Sequence, residues 1–213
     1  MAWTREEIAK RIASDIPDGW YVNIGVGIPT LIPTFIPAGR EVIFQSENGV
    51  LGMKALGPND QADPDLIDAG KQAIGIREGG CFFESSLSFA MIRGRHIDLG
   101  VVGALQVSED GDIANWRTDK KMIGGIGGAA DVCMGVRNLW VAMSHTSEGR
   151  SKLVRTCSFP LTARRVVSRV YTDLAVLERH SEGWHTIELA PGVAHGEVTA
   201  FTEFTLATPR TGG

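Results

Sequence analysis

The sequence predicts a single α/β domain, and three observations support that class. Short apolar segments typical of strands alternate with helical patterns along the 213 residues. The hydrophobic share of 43% and the charged share of 22% are ordinary for a globular protein, and a chain of this length can bury most of its unfolded surface. The 26 glycines follow no repeating period, so we expect many tight turns and close backbone approaches.

The N-terminal segment predicts a helix followed by a strand. Thr4 and Glu7 have the spacing of a capping box. Isoleucines recur at every fourth position from Ile8 to Ile16, which places them on one face of an amphipathic helix. Residues 21–24 then have the apolar pattern of a short strand that runs into a glycine-containing turn.

The middle of the chain predicts two strands, one helix and an exposed connection. Residues 41–45 have the pattern of a strand, whereas residues 59–68 are polar and contain the Asp and Pro residues typical of a surface loop. Residues 83–93 predict a helix between glycines, and residues 97–102 predict a buried strand.

The rest of the chain predicts mainly strands. The dipeptide Asp110-Gly111 is a turn signal, so we expect a hairpin between residues 106–108 and 113–116. Residues 139–143 predict another interior strand. Further strands are predicted around the apolar pairs at 166–167, 176–177 and 186–187.

Charge and hydropathy narrow the expected partners. The formal net charge of -4 gives no reason to expect a nucleic acid or an anionic membrane surface as partner. No apolar run approaches the roughly 18 residues that a membrane span requires. The first residues also lack the basic segment and apolar core of a secretion signal, so we expect a cytoplasmic protein.

Cysteine and histidine spacing disfavours several kinds of site. The cysteines are odd in number and far apart, which argues against a disulfide framework and a zinc site. The histidines form no HExxH pattern, and the chain has no GxSxG motif, so metal and serine-triad mechanisms are disfavoured. The residues concerned are Cys81, Cys133 and Cys157, and His96, His145, His180, His185 and His195.

Glu47 is the strongest candidate for a reacting group. It lies in the tetrapeptide Ser46-Glu47-Asn48-Gly49, where a predicted strand ends in a turn that projects its carboxylate. A glutamate with an ordinary pKa near ~4.3 is ionised at neutral pH and can attack an acyl carbon without a neighbouring base. The residues alone also permit a solvated turn residue at this position.

Two glycine clusters could hold a ligand. Gly25 and Gly27 follow a predicted strand, but Thr30 stands where a dinucleotide fingerprint needs glycine and Pro29 alters the turn. These glycines can let backbone amides approach a ligand or can simply form a turn. The cluster at 124–129 predicts a helix start whose N–H groups could form an oxyanion hole, although a packing role is also compatible.

One segment is markedly basic. Residues 150–169 contain Lys and Arg but neither Asp nor Glu. Such a segment is usually a solvated face, and contact with phosphates or with an acidic partner surface is the alternative.

Several motifs together resemble the beta chain of the two-chain family I CoA-transferases, in the 3-oxoacid branch that uses succinyl-CoA. The resemblance extends to about Leu189. The motifs are NIGVGIPT at 23–30, SENGVLG at 46–52, DLIDAGK at 65–71, SFAMIRG at 88–94, GALQVS at 103–108, GDIANW at 111–116, GGA at 127–129, SKLV at 151–154 and YTDLAV at 171–176.

This resemblance implies a fold, a reaction and a partner. It implies one domain over residues 1–207, with a mixed, largely parallel sheet flanked by helices, followed by a disordered tail at 208–213. It implies transfer of CoA from succinyl-CoA to a 3-oxoacid, either 3-oxoadipate or acetoacetate. An alpha subunit is required, in a heterodimer or heterotetramer. CoA is a substrate, and no metal or permanently bound cofactor is expected.

The resemblance also assigns roles to residues around Glu47. Glu47 becomes the catalytic glutamate that carries a glutamyl-CoA thioester. Asn48 is implied to position the reacting groups, and Gly127 and Gly128 correspond to the family's oxyanion-hole loop.

Other residues are implied to contact the substrates. Lys71, Gly25 and Gly27 are assigned to CoA binding. Arg117 follows a motif that lies near the site in this family, so we hypothesise that it pairs with the second carboxylate of 3-oxoadipate; a solvated arginine is the alternative. Residues 54–58 and Arg95 differ from the family pattern. These differences affect the expected details of substrate contact and not the expected reaction.

Two other functions remain compatible with the residues. A sugar-phosphate isomerase of similar architecture would use the glycine loops to hold phosphate and Glu47 to abstract a proton. A metabolite-sensing domain would use Glu47 only as a hydrogen-bond acceptor.

Overall fold

Ten strands form one mixed sheet, which confirms the predicted α/β class. The computed structural model describes residues 1–118 and 125–208. In chain order its strands are β1 (Tyr21–Ile24), β2 (Ile43–Ser46), β3 (Val50–Lys54), β4 (Gly75–Phe82), β5 (Leu99–Val102), β6 (Gln106–Ser108), β7 (Ile113–Ala114), β8 (Asn138–Ala142), β9 (Thr146–Ser147), β10 (Arg150–Ser151), β11 (Leu153–Val154), β12 (Val167–Tyr171), β13 (Ala175–His180), β14 (Gly183–Leu189) and β15 (Leu206–Ala207). Its helices are α1 (Arg5–Asp15), a 3₁₀ helix (Ile28–Phe35), α2 (Ser85–Arg93), α3 (Ala129–Gly135) and α4 (His195–Ala200).

The large sheet is parallel in its centre and mainly antiparallel toward its edges. Its strand order is β15-β14-β13-β12-β8-β5-β1-β2-β3-β4. Neighbouring strands from β12 through β8, β5 and β1 to β2 pair in parallel, whereas β3 and β4 on one side and β13 and β14 on the other pair antiparallel. β1, β2 and β5 therefore end at the same edge of the sheet.

The predicted first helix and hairpin are both present. In α1 the backbone N–H of Thr4 donates to Glu7 Oε2 at 2.7 Å, and the backbone N–H of Glu7 donates to Thr4 Oγ1 at 3.2 Å. These reciprocal bonds form the capping box that the sequence predicts. The turn at Asp110-Gly111 joins β6 to β7, which pair antiparallel with Val107 opposite Ile113.

Each face of the large sheet carries an apolar core, because successive side chains of a strand point to opposite faces. In β8, Leu139 and Val141 pack in the core that contains Ile92 of α2 and Val132 and Cys133 of α3. Trp140 and Ala142 pack in the other core, with α1 and the 3₁₀ helix. A central strand that is apolar on both faces is typical of parallel sheets covered by helices.

The basic segment at residues 150–169 is solvated only in part, because Arg150, Arg155, Arg164 and Arg165 are exposed whereas Lys152 and Arg169 are partly buried. The Arg169 side chain is 22% exposed and pairs with Asp15 at 3.1 Å and with Glu178. Its guanidinium also lies 4.9 Å from the centroid of the Trp140 ring. Arg169 thereby connects α1 to the strands β12 and β13.

Some sequence expectations fall outside the described residues. These are Gly124, the first residue of the second glycine cluster, and residues 209–213 of the predicted tail. The domain boundary at residue 207 stays a prediction. Among the described helices, none is both long enough and apolar enough to cross a membrane.

The helices α2 and α3 approach each other closely at Gly135. A Cβ atom at Gly135 would lie 2.6 Å from the Ile92 carbonyl oxygen and 2.7 Å from Ile92 Cγ2. Real Cβ atoms do not approach carbonyl oxygens so closely, so the helix pair depends on glycine at this position. Because the loop that leads into α3 borders the candidate site, this packing also positions the site.

We predict that Gly135→Ala lowers the free energy of unfolding by about 1–3 kcal/mol, because the added methyl group forces α2 and α3 apart. The matched control is Gly196→Ala in α4, where a Cβ would meet no atom of the described residues within 4 Å. Alanine should there be neutral or stabilise by up to about 1 kcal/mol. Urea unfolding of both variants measures the difference, and equal stabilities would contradict the proposed close packing.

Candidate active site

Glu47 lies in the turn between β2 and β3, as the sequence predicts. The backbone N–H of Gly49 donates to the Ser46 carbonyl at 3.0 Å and closes the turn. Gly49 has φ 113, and a Cβ atom there would lie 1.9 Å from the Phe83 carbonyl oxygen. Both the backbone conformation and the lack of space therefore require glycine two residues after the glutamate.

A buried polar network fixes β2 immediately before Glu47. Asn23 Nδ2 donates to Gln45 Oε1 at 2.6 Å, and Gln45 Nε2 donates to Ser88 Oγ at 2.5 Å. These three side chains are at most 2% exposed. They link β1, β2 and α2, and breaking one bond would leave a buried polar group unsatisfied at a cost of about 1–3 kcal/mol.

Two further hydrogen bonds hold a loop against the Glu47 turn. Ser46 Oγ accepts a hydrogen bond from the backbone N–H of Ala69 at 2.9 Å. Asn48 Nδ2 donates to the Ile67 carbonyl at 2.8 Å. Since these bonds flank Glu47, they fix the loop at residues 67–70 beside its carboxylate.

The carboxylate of Glu47 lies against the backbone at the start of α3. A Cβ atom at Gly128 would be 2.8 Å from Glu47 Oε1 and 2.8 Å from the ring of Phe89. Gly127, the preceding residue, has φ 50 and so occupies the left-handed region that favours glycine. The structure therefore brings Glu47, Gly127 and Gly128 together.

The surroundings of Glu47 disfavour its ionised form. Burial raises the pKa of the Glu47 carboxyl, and the negative charge of Asp131 raises it further. The sequence argument assumed an ordinary pKa, and the structure corrects that assumption. Asp131 is itself paired with Arg93 at 2.7 Å, which partly offsets its effect on Glu47.

A neighbouring thiol is kept neutral. Burial, together with the charge of Glu47, raises the pKa of Cys133 to about 12. A thiol with this pKa is protonated at neutral pH and is a poor nucleophile. Cys133 therefore does not compete with Glu47 for an electrophile.

Glu47 forms part of the wall of a cavity of about 520 Å³. The cavity lies at the sheet edge where β1, β2 and β5 end. Its wall also includes Asn23, Gly25, Val26, Thr30, Asp68–Gly70, Val102–Leu105, Asn115, Trp116 and Gly125–Ala129. A pocket with a carboxylate beside exposed glycine backbone can accommodate an acyl group and present a nucleophile to it.

The other predicted residues lie at or outside the edge of this cavity. Gly25 lines it, whereas Gly27 has φ 99 and precedes the 3₁₀ helix. Lys71 is exposed, has φ 64 and follows the wall residue Gly70. Arg117 is exposed next to Trp116 and is not part of the described cavity wall. The roles proposed for Gly27, Lys71 and Arg117 stay predictions.

Sequence reasoning did not single out several residues of the cavity wall. Asp68 is buried, and its carboxylate accepts a hydrogen bond from the backbone N–H of Gln72 at 2.8 Å. Asn115 Oδ1 accepts from Thr162 Oγ1 at 2.7 Å, and Asn115 Nδ2 donates to the Gly103 carbonyl at 3.3 Å. The available signal was their position in the motifs DLIDAGK at 65–71 and GDIANW at 111–116.

Comparison with known proteins shows which family has these features. The family model described as Coenzyme A transferase matches residues 5–200. The B subunit of the succinyl-CoA:3-ketoacid coenzyme A transferase of Helicobacter pylori is 46% identical over 200 residues, which are 93% of this chain and 96% of that protein. The B subunit of the 3-oxoadipate CoA-transferase of Acinetobacter baylyi is 43% identical over 208 residues, which are 95% of this chain and 94% of that protein.

The fold also matches a solved structure. The apoenzyme of the acyl-CoA transferase YdiF from Escherichia coli O157:H7 has a TM-score of 0.78 at 19% identity over 98% of this chain. A thioester complex of that enzyme with CoA has a TM-score of 0.75 at 18% identity. In both cases the chain spans 42% of the longer protein, and the likeness is one of fold. The family model and the relatives from Helicobacter pylori and Acinetobacter baylyi show that this chain belongs to the coenzyme A transferase family.

Proposed function

We propose that this chain is the beta subunit of a 3-oxoacid CoA-transferase that moves CoA from succinyl-CoA to a 3-oxoacid. The observation that carries the proposal is the Glu47 carboxylate in the cavity wall, against the backbone of Gly128. The names of the two relatives, which specify 3-ketoacid and 3-oxoadipate enzymes, support this substrate class. The acceptor is accordingly acetoacetate or 3-oxoadipate.

The proposed reaction exchanges activated acyl bonds on Glu47. The carboxylate attacks the thioester carbonyl of succinyl-CoA, and CoA leaves as a thiolate while a mixed anhydride forms. The thiolate attacks the Glu47 carbonyl, succinate leaves, and a glutamyl-CoA thioester remains. The acceptor acid then repeats these two steps in reverse order and leaves as its CoA thioester. Every step conserves one activated bond, so no ATP is required.

The environment of Glu47 supports a nucleophilic role. A carboxylate with a raised pKa is less stabilised by its surroundings than one in water, which makes attack on an acyl carbon easier. We propose that the backbone N–H groups of Gly127 and Gly128 stabilise the oxyanion that develops, and a donor of this kind is worth about 2.7–4 kcal/mol. Holding the reactants in place can contribute roughly 7–11 kcal/mol more.

Residues around the cavity have proposed binding roles. Gly25 and Gly27 would let the backbone approach CoA, and Lys71 would contact its phosphates from the exposed end of the loop that Ser46 and Asn48 hold. Asn48 would thus position this loop rather than contact the oxyanion. Arg117 is proposed to pair with the second carboxylate of 3-oxoadipate from its exposed position beside the cavity.

The proposal includes an alpha subunit that completes the site. The relatives are named as subunits, which supports a partner chain in a heterodimer or heterotetramer. Apolar side chains beside the Glu47 turn and the cavity are exposed, among them Val26 at 65% and Phe82 at 62%. Exposed apolar side chains of this size are suited to burial against a partner.

We predict that Glu47→Gln reduces CoA transfer about 1,000-fold or more, because the amide is a poor nucleophile and cannot form the anhydride. The two-subunit enzyme is incubated with succinyl-CoA, and the mass of the Glu47 peptide is measured before and after borohydride reduction. Wild type should carry CoA on Glu47.

Glu78→Gln, at an exposed position of β4, is the control and should retain the adduct. Full activity of Glu47→Gln would exclude the mechanism, and an isomerase or sensor would acquire no adduct.

We predict that Gly128→Ala lowers kcat about 100-fold, because its methyl group would displace the Glu47 carboxylate, and small misplacements of a reacting group have effects of this size. In the same loop a Cβ at Gly125 would have, among the described residues, one atom within 4 Å, at 3.9 Å. Gly125→Ala should therefore lose much less activity. Steady-state kinetics of both variants measures the difference, and equal losses would contradict the contact.

The pH profile should depend on the pair formed by Asp131 and Arg93. Protonated Glu47 cannot attack, so a raised pKa moves the acidic limb of kcat/KM to higher pH. Arg93→Gln leaves the charge of Asp131 unpaired and should move the limb further up, whereas Asp131→Asn removes that charge and should move it down. Shifts of both variants in the same direction would contradict this electrostatic coupling.

A further inference from the structure

Asp68 contributes a second carboxyl group to the wall of the Glu47 cavity, and the proposed reaction does not use it. The residue is 8% exposed. Aspartate is seldom buried to this extent unless its carboxylate has a partner. That partner is the backbone N–H of Gln72, which donates to Asp68 Oδ1 at 2.8 Å. The reason for the burial of Asp68 therefore lies in the loop that follows it.

Asp68 closes the loop at residues 68–72 with three hydrogen bonds. Besides the bond to its carboxylate, its backbone N–H donates to the Gln72 carbonyl at 2.9 Å. Its own carbonyl accepts from the backbone N–H of Lys71 at 3.0 Å. Of these three bonds, the one to the carboxylate alone depends on which amino acid occupies position 68.

The backbone at Lys71 requires support of this kind. Lys71 has φ 64, in the left-handed region that residues with a Cβ atom seldom occupy. The hydrogen bonds of Asp68 go to the N–H groups of Lys71 and of the next residue, so they hold this conformation from both sides. A Cβ atom at Gly70 would lie 3.1 Å from Asp68 Oδ1, so the carboxylate also packs against the backbone just before Lys71.

The start of the same loop is attached to the turn that contains Glu47. The hydrogen bonds of Ser46 and Asn48 hold it there. They fix where the loop begins, whereas the hydrogen bonds of Asp68 fix the direction in which it continues. The position of Lys71 relative to Glu47 thus depends on both sets of bonds.

We propose that Asp68 is a positioning residue for CoA recognition, because its carboxylate holds Lys71 in the conformation in which the ammonium group contacts the phosphates of CoA. This inference rests on the proposed function and on the contact proposed there for Lys71. A carboxylate repels phosphate, so Asp68 acts through Lys71 and not by direct contact. Loss of its acceptor oxygen should weaken recognition of the phosphates and leave the chemistry at Glu47 intact.

The test uses the two-subunit enzyme and compares succinyl-CoA with succinyl-pantetheine, a donor that lacks the phosphates. In Asp68→Ala we expect kcat/KM for succinyl-CoA to fall about tenfold, while the value for succinyl-pantetheine changes less than about threefold. Position 68 lies outside both apolar cores, so this variant should fold.

Two further variants separate the acceptor oxygen from other effects. Asp68→Asn keeps an oxygen that can accept from the N–H of Gln72, so it should retain the wild-type ratio of the two donors within about threefold. Asp65→Ala changes an exposed aspartate of the same segment and should leave both values unaltered.

A double variant shows whether Asp68 acts through Lys71. If it does, Lys71→Ala alone and Lys71→Ala combined with Asp68→Ala should lose the same activity toward succinyl-CoA, because an absent side chain cannot be misplaced. Additive losses would overturn the proposal, and so would equal losses for both donors in Asp68→Ala or an Asp68→Asn variant as impaired as Asp68→Ala. Failure of wild type to acquire CoA on Glu47 would instead overturn the proposed function, so the two failures are distinguishable.

Discussion

The contact between the Glu47 carboxylate and the backbone at Gly128 is the constraint on which the site depends. The space between them is too small for any side chain at residue 128. The contact removes water from one side of the carboxylate and brings it next to the first residues of α3. Both the raised pKa of Glu47 and the proposed oxyanion hole follow from the same proximity.

This contact requires the strand edge, α2 and α3 to keep fixed positions relative to one another. The parallel pairing of β1, β2 and β5 brings their carboxyl ends to one edge, and the buried network of Asn23, Gln45 and Ser88 connects that edge to α2. The close approach at Gly135 then fixes α3 against α2. Gly128 and Gly135 are both required at their positions, because their neighbours leave no room for a Cβ atom.

The hydrogen bonds of Ser46 and Asn48 hold one part of the site in a fixed position, whereas another part is exposed. Ser46 and Asn48 fix the near end of the loop at residues 67–70, whereas Lys71 just beyond it is exposed. A reacting group benefits from a fixed position, while a contact to a long and charged substrate can be made from the surface. The arrangement is consistent with acyl chemistry in the cavity and CoA recognition outside it.

The sequence by itself determined the helices α1 and α2, the strands β1, β2, β5 and β8, the turn that presents Glu47 and the family, because these depend on local periodicity, turn residues and motifs. The capping box at Thr4 and Glu7 and the hairpin at Asp110 are examples, since each involves residues close in the chain. Only the tertiary structure decided the raised pKa of Glu47, the partial burial of Arg169 and the close approach of Glu47 to Gly128. Each of these depends on burial and on neighbours distant in sequence, which periodicity and spacing do not contain.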